Sequence, residues 1–283
     1  MMSEAGDYAA WIGKQETSTD EARQSDLVRF EAMFGTLPAS RPTELPPLAH
    51  WMLFPAIAAQ ADLGDDGHPK RGGFLPAVDH LPRRMWTGGR VRFHGAVPVG
   101  APVQRKSTVL SIKPKMGGSG ELVFVTVRHE ITDMGGTLLI DEEQDIVYRG
   151  MGTANAPPAA DLEGAVATRT VTPAATLLFR YSAATFNGHR IHYDRTYATA
   201  VEGYPGLVVH GPLTATLLLN LGIGAAAGER PSTFSFRAQS AAIDGHPLVL
   251  RAAKRATDGS MTCWASTGEG RAVMTAQIGF RAA

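Results

Sequence analysis

The segment 213–221 has almost no polar face. Leu213, Leu217, Leu218, Leu219 and Leu221, with Ala215 and Thr216 between them, make it apolar nearly all round. A helix of this kind must be buried on most sides, because a surface helix keeps a polar face toward water. A sheet that wraps around one central helix satisfies that demand. The rest of the chain supplies such a sheet. Strands are expected at Val91–Phe93, Val103–Ile112, Leu122–Ile131 and Asp145–Tyr148. They are expected again at Thr233–Phe236, Leu248–Ala253, Met261–Ala265 and Ala272–Phe280, on alternation and β-branched content. Gly117-Gly118-Ser119-Gly120 reads as a hairpin turn. Polar Thr19–Phe34, apolar Leu48–Ala61 and Ala174–Tyr181 complete the pattern, the first two as helices and the third as helix or strand.

The chain repeats itself. Leu48-Ala49-His50-Trp51-Met52-Leu53 corresponds to Val208-Val209-His210-Gly211-Pro212-Leu213, and Val99-Gly100-Ala101-Pro102-Val103 to Asp244-Gly245-His246-Pro247-Leu248. Each pair leads into a run of antiparallel strands, the mark of a duplicated unit. The expected organisation is one unit over 1–150, a Pro- and Ala-rich linker over 151–168 and a second unit over 169–283.

Composition excludes several classes. Lys+Arg and Asp+Glu balance at 27 each, without the basic excess of a nucleic-acid or membrane-surface protein. Cys263 is the one cysteine, so no internal disulfide forms. No apolar run reaches the length of a membrane span, and residues 1–7 show no basic-then-apolar signal pattern. A cytoplasmic setting is the expectation. Asp65-Asp66-Gly67-His68 carries metal-capable side chains, but its spacing matches no closed site, and no metal is expected. The Gly-rich turn at 117–120 lacks the strand–helix context of a phosphate loop.

Two blocks concentrate chemistry: Tyr181-Ser-Ala-Ala-Thr-Phe-Asn-Gly-His-Arg-Ile-His-Tyr-Asp194, and His210-Gly211-Pro212 at the mouth of the apolar helix. Tyr181, Ser182, Thr185, Ile191, His192, His210 and Gly211 resemble, in order and spacing, the motif of the MaoC-like hydratase/dehydratase family. The narrower likeness is to its double hotdog branch of itaconyl-CoA and mesaconyl-C4-CoA hydratases and mitochondrial-type hydroxyacyl-thioester dehydratases. Phe186–Asp194 and Arg83-Arg84-Met85-Trp86-Thr87-Gly88-Gly89 carry that narrower likeness. The resemblance implies an α+β double hotdog fold, with a first unit that shapes an acyl pocket and a second that catalyses. It implies reversible, (R)-specific-type addition of water to an enoyl-CoA with a short dicarboxylic acyl group, itaconyl-CoA or mesaconyl-C4-CoA, without a cofactor. Acyl-CoA, or acyl-ACP, is the implied partner, and the chain is a monomeric pseudo-dimer or a homodimer.

The family's Asp falls on Asn187, its Asn on His189 and its Pro on Arg190. An amide takes no proton at neutral pH. The resemblance implies His192, whose spacing matches the family's catalytic His, as the first candidate for acid–base work, with His189 on the same loop as the second. Asn187 is left to orient water. Gly211, at a helix start, offers an unpaired N–H to an enolate oxygen. Arg84 and Arg190 are candidates for a substrate carboxylate, with Trp86 and His210 as further substrate-side candidates, although packing suits Trp86 better and His210 also suits positioning of the helix. Arg83 is a candidate for a carboxylate or a CoA phosphate. Asp194 reads as an N-cap for 195–200. The alternatives are a 3-hydroxyacyl-thioester dehydratase of longer chains, a non-catalytic acyl-CoA-binding protein, and a thioesterase. The last is disfavoured because no carboxylate stands near Gly211-Pro212-Leu213-Thr214.

Overall fold

A computed structural model of the chain describes residues 8–34, 43–118, 120–151 and 164–280. The first half contributes β1 (Gln15–Glu21), α1 (Gln24–Met33), β2 (Arg83–Phe93), β3 (Pro102–Gly117), β4 (Gly120–Asp133) and β5 (Leu138–Arg149). The second contributes β6 (Ala165–Val171), α2 (Ala175–Ala184), α3 (Gly211–Ala225), β7 (Pro231–Ala238), β8 (Leu248–Ala253), β9 (Ser260–Thr267) and β10 (Ala272–Phe280). All ten strands form one sheet in the order β1-β3-β4-β5-β2-β7-β10-β9-β8-β6, and each paired neighbour is antiparallel.

The second five strands repeat the first five in reversed order, so the halves meet at β2 and β7. There Gly88 pairs with Arg237, Gly89 with Phe236 and Arg90 with Ser235. The internal repeat is also visible in its turns. Gly100 and Gly245 hold φ of +83° and +74°, a region open to glycine at little cost. Their N–H groups donate to Ala22 and Pro173 oxygens, just ahead of α1 and α2. This is the double hotdog plan. β6 begins at Ala165 and pairs with β8, so residues 165–168 belong to the second unit and not to the linker.

α3 is the central helix. Leu213, Leu218 and Leu219 are fully buried, and the helix packs on β6 through β10. Each such leucine is worth about 1.5–3 kcal/mol of burial. Pro212 sits in its first turn, where no hydrogen bond is lost.

The first half departs from expectation where its own central helix should lie. Leu48–Ala61 is not a helix. A single 3₁₀ turn, Ala49–Met52, is followed by extended and irregular chain, with a further 3₁₀ turn at Gln60–Asp62. Pro55 is the physical reason. It has no N–H to donate, and it disfavours helical geometry at Phe54, which adopts φ +57°. The apolar residues are buried regardless, with Leu48, Ala49, Leu53 and Phe54 all in the main core. Thr19–Phe34 also divides. Its start lies in edge strand β1, and α1 begins only at Gln24, burying Leu27, Phe30 and Met33. Among the described residues no helix is long and apolar enough to cross a membrane.

Where the second half has His210, the first has His50, and it is held differently. Its Nε2 donates to Glu142 Oε2 at 3.1 Å, while Trp51 Nε1 and Gln144 Nε2 donate to Glu142 Oε1 at 2.8 and 3.0 Å. Glu142 is only 2% exposed. A buried carboxylate needs such partners, and here they pin the 3₁₀ turn to β5.

Candidate active site

A cleft of about 2530 Å³ opens beside the seam and is lined by both halves. The turn after α2 delivers the polar loop to it. Asn187 Oδ1 accepts from His189 N–H at 3.0 Å, a local turn that takes up part of the amide's acceptor capacity. His192 then sits in a 3₁₀ turn, 8% exposed, and its Nδ1 donates to the Val208 carbonyl at 2.7 Å. That bond fixes the proton on Nδ1 and leaves Nε2 as a lone-pair acceptor. Burial pushes His192 down to about 4, partly offset by the Val208 carbonyl. It is therefore neutral at pH 7.

Four imidazoles form a row. The His192 ring stacks on His210 at 3.7 Å between centroids; His189 meets His192 edge-on at 5.3 Å and lies 4.1 Å from His68. Burial holds His68, His189 and His210 below the ordinary histidine range. His210 Nε2 and Ser182 Oγ share a 2.9 Å hydrogen bond, and Tyr181 packs against the same ring. His210 is also the N-cap residue of α3. The first bond of that helix runs from Thr214 N–H to the His210 carbonyl, so Gly211 N–H precedes the ladder and faces no intrahelical acceptor. A Cβ at Gly211 would come no closer than 3.6 Å to Trp86 O, so the protein leaves this position open on the cleft.

The structure thus brings Asn187, His189, His192, His210 and Gly211 together. Trp86 lines the cleft inside an aromatic group, 5.0 Å from Trp51 and 5.8 Å from Phe236, with its Nε1 donating to Gly88 O. That is a packed wall. Arg84 lines the cleft and forms no ion pair among the described residues. It lies close enough to Tyr148, His68 and His189 to act on each electrostatically. Tyr148 is fully buried, and the Arg84 guanidinium is the charged group that faces its hydroxyl among the described residues. Arg190 does not join the site. Its Nε and Nη2 donate to Asp194 Oδ2, its Nη1 donates to the Asp65 carbonyl, and its guanidinium covers Tyr197 at 4.2 Å. An i,i+4 carboxylate has claimed it. Arg83 is likewise held by Glu202, through Nε at 2.8 Å and through Nη2 to the backbone carbonyl. Asp194 caps the turn after it, as expected, accepting from Tyr197 N–H at 3.0 Å.

One pair was not legible as part of this site. Asp66 Oδ2 accepts from His68 Nδ1 at 3.0 Å, and His68 lines the cleft from the first half. Ligand atoms of Asp66, His68 and His189 fall within 4.8 Å of one another, so these three are the described residues that could surround a cation. No spacing in the sequence joins them, because 121 positions separate His68 from His189.

The buried histidines carry a consequence for stability. His129, bonded to Ser107 Oγ at 2.9 Å, is pushed by burial to about 4, like His192. Both are lowered from 6.5. Between pH 6.5 and 4 the unfolded chain binds protons that the folded chain refuses, so stability present above 6.5 is lost as pH falls toward 4. Each histidine accounts for about 3 kcal/mol over that range. The urea midpoint should therefore drop steeply between pH 7 and 4.5. A midpoint flat across that interval would show that neither ring is buried neutral.

Residues 48–244 match the family model for hydroxyacyl-thioester dehydratase type 2. The chain is 45% identical over 259 residues to the mesaconyl-C(4)-CoA hydratase of Chloroflexus aurantiacus, covering 88% of this chain and 89% of that protein. It is 28% identical over 264 residues to the mitochondrial hydroxyacyl-thioester dehydratase type 2 of Schizosaccharomyces pombe, covering 82% and 87%. Among solved structures it superposes on a MaoC-like dehydratase from Phytophthora capsici with TM-score 0.69 at 16% identity, over 96% of this chain and 97% of that one. That last likeness shows the fold. With the match spanning most of the chain, and with His192, His210 and Gly211 converging at one helix mouth, the chain belongs to the hydroxyacyl-thioester dehydratase type 2 family.

Proposed function

We propose that this protein is a hydro-lyase that adds water reversibly to an α,β-unsaturated acyl-CoA, with a short dicarboxylic acyl group such as mesaconyl-C4-CoA as substrate. The observation that carries the reading is the His192 ring, committed through Nδ1 to the Val208 carbonyl and stacked on His210, the residue that precedes the open Gly211 N–H. Hydration needs a base on water, an acid for the α-carbon and a donor for the enolate oxygen. His192 serves as base and, once protonated, as acid. Gly211 N–H serves the oxygen, with the start of α3 favouring negative charge there. His189 is the second acid–base candidate, Asn187 a water-orienting amide, and His210 a support that keeps the His192 ring in place. No cofactor is needed for these steps.

Arg84 supports the dicarboxylic choice. It is a guanidinium without an ion pair among the described residues, near His68 and His189, where the far carboxylate of a short acyl group would lie, with the buried Tyr148 hydroxyl behind it. Arg84→Met is expected to lower kcat/KM for mesaconyl-C4-CoA by roughly 30-fold, about 2 kcal/mol for a charge-assisted bond. Crotonyl-CoA, with no carboxylate, should lose less than threefold. Equal losses on both would remove Arg84 from substrate recognition.

The cleft volume favours one alternative, a dehydratase of longer 3-hydroxyacyl thioesters, because the missing first-half helix leaves room for a tail. A coupled assay on mesaconyl-C4-CoA, itaconyl-CoA, crotonyl-CoA and a long-chain enoyl-CoA separates the two. Preference for the long chain would sink the dicarboxylic reading; no turnover on any would sink the hydro-lyase.

A further inference from the structure

Asn187 leaves the hydration loop without a carboxylate, and the loop that faces it brings one from the other half of the chain. Residues 64–68 form a tight turn in which Gly64 N–H donates to the His68 carbonyl and Gly67 N–H to the Gly64 carbonyl. Inside it, Asp66 accepts twice from His68: Oδ1 from the backbone N–H at 2.9 Å and Oδ2 from Nδ1 at 3.0 Å. The turn is locked onto the hydration loop. Arg190 N–H donates to the Asp66 carbonyl at 2.9 Å, Arg190 Nη1 donates to the Asp65 carbonyl at 2.9 Å, and Gly67 meets Gly188 backbone to backbone. The outcome is a His68 ring 4.1 Å from His189, with His68, His189 and His192 all opening on one cleft.

We propose that the Asp66–His68 pair is the second water-holding group of this hydratase, supplied by the half of the molecule that otherwise only shapes the pocket. The inference rests on the hydro-lyase reading and deepens it. Because Asp66 accepts the Nδ1 proton, His68 Nε2 carries a lone pair. Burial pushes the Asp66 carboxyl up, but the His68 bonds outweigh it and keep the group ionised. His68 Nε2 accepts one hydrogen of the attacking water, a duty for which Asn187 Oδ1 has less capacity because it already accepts from His189 N–H, and His192 Nε2 takes the other as a proton. The water oxygen bonds to the β-carbon, and the π pair moves through the α-carbon to the thioester oxygen. The proton on His192 then passes to the α-carbon as the enolate returns to a thioester. The sum is addition of one water, with no co-reactant. His68 is a catalytic residue in this scheme and Asp66 is a positioning residue.

A cation among Asp66, His68 and His189 is the competing use of the same atoms. It would have to displace the proton that Asp66 and His68 already share.

The test is steady-state hydration of mesaconyl-C4-CoA by wild type, His68→Asn, Asp66→Asn and His192→Asn. Asn at 68 can still donate to Asp66, so the turn is kept and only Nε2 is lost. The expected result for His68→Asn is a fall in kcat of about 10²-fold, with KM and the thermal midpoint unchanged. Asp66→Asn should lower kcat similarly and move the acid limb of the pH profile downward. With Asp66 neutral, the described groups that act on His68 are Arg71, Arg84, His189 and His192, and none of them favours its protonated form. A structural role would reduce active protein without moving that limb. A His68→Asn enzyme within threefold of wild type, while His192→Asn is inactive, overturns this inference and leaves the hydro-lyase standing. Elemental analysis gives the other overturning result: a stoichiometric metal in wild type that is absent from Asp66→Asn.

Discussion

Replacing His192 with asparagine is expected to reduce kcat by roughly 10³-fold on any enoyl-CoA the enzyme accepts. Asparagine keeps a donor near the Nδ1 position, so the 2.7 Å bond to the Val208 carbonyl survives and the 3₁₀ turn stays in place. What disappears is Nε2, the acceptor that the neutral tautomer leaves exposed to the cleft. His192→Ala should lose as much activity and also stability, because the Val208 carbonyl would be left without its donor, at about 1–3 kcal/mol. The contrast between the two variants separates chemistry from folding. Retention of a tenth or more of wild-type kcat in His192→Asn would move the base elsewhere in the histidine row, with His189 next to be tried.

Gly67→Ala is expected to be nearly as damaging without touching a titratable group. Gly67 holds φ +86°, and a Cβ there would lie 2.0 Å from the Gly188 carbonyl oxygen; a Cβ at Gly188 would in turn lie 2.7 Å from the Gly67 oxygen. Neither contact can be relieved by turning a side chain, since both partners are backbone. The loops must part, and a displacement of about 1 Å at reacting groups costs on the order of 10²-fold. The sheet and α3 do not depend on this contact, so the circular dichroism spectrum should be unchanged while hydrogen exchange rises at 64–68 and 187–190. Gly150→Ala, where nothing lies within 4 Å of the added carbon, is the control. A Gly67→Ala enzyme with wild-type turnover would show that the two loops need not interlock for catalysis.

What was legible in the sequence follows the range of the forces involved. Strands β3 to β5 and β7 to β10 were readable because side-chain alternation is local, and α3 because a leucine-rich segment without a polar face can only be interior. The Gly100 and Gly245 turns were readable as a repeat. The expected helix at 48–61 failed against Pro55, which was in plain view but outweighed by the apolar run around it. β1 was hidden because an edge strand of Gln, Glu, Thr and Ser has the polarity of an exposed helix. The motif spacing was enough to single out His192, His210 and Gly211, which the fold places on one cleft. Arg190 was read as a substrate-side candidate, whereas its guanidinium is taken by Asp194, four residues on. Asp66 and His68 were noticed only as metal-capable residues. Their meeting with His189 depends on how the two halves dock, and no periodicity records a contact between loops on different units.

The β2–β7 seam makes that docking a property of one molecule. Two separate subunits would hold an equivalent contact only above their dissociation constant, and each would carry the same loops. Here the halves meet at an effective concentration set by the chain that joins them, so turnover per molecule should not decline on dilution. Covalent linkage also lets the two copies diverge. One has a 3₁₀ turn and irregular chain where the other has a central helix that opens on the cleft at Gly211, and neither feature need be shared by its twin.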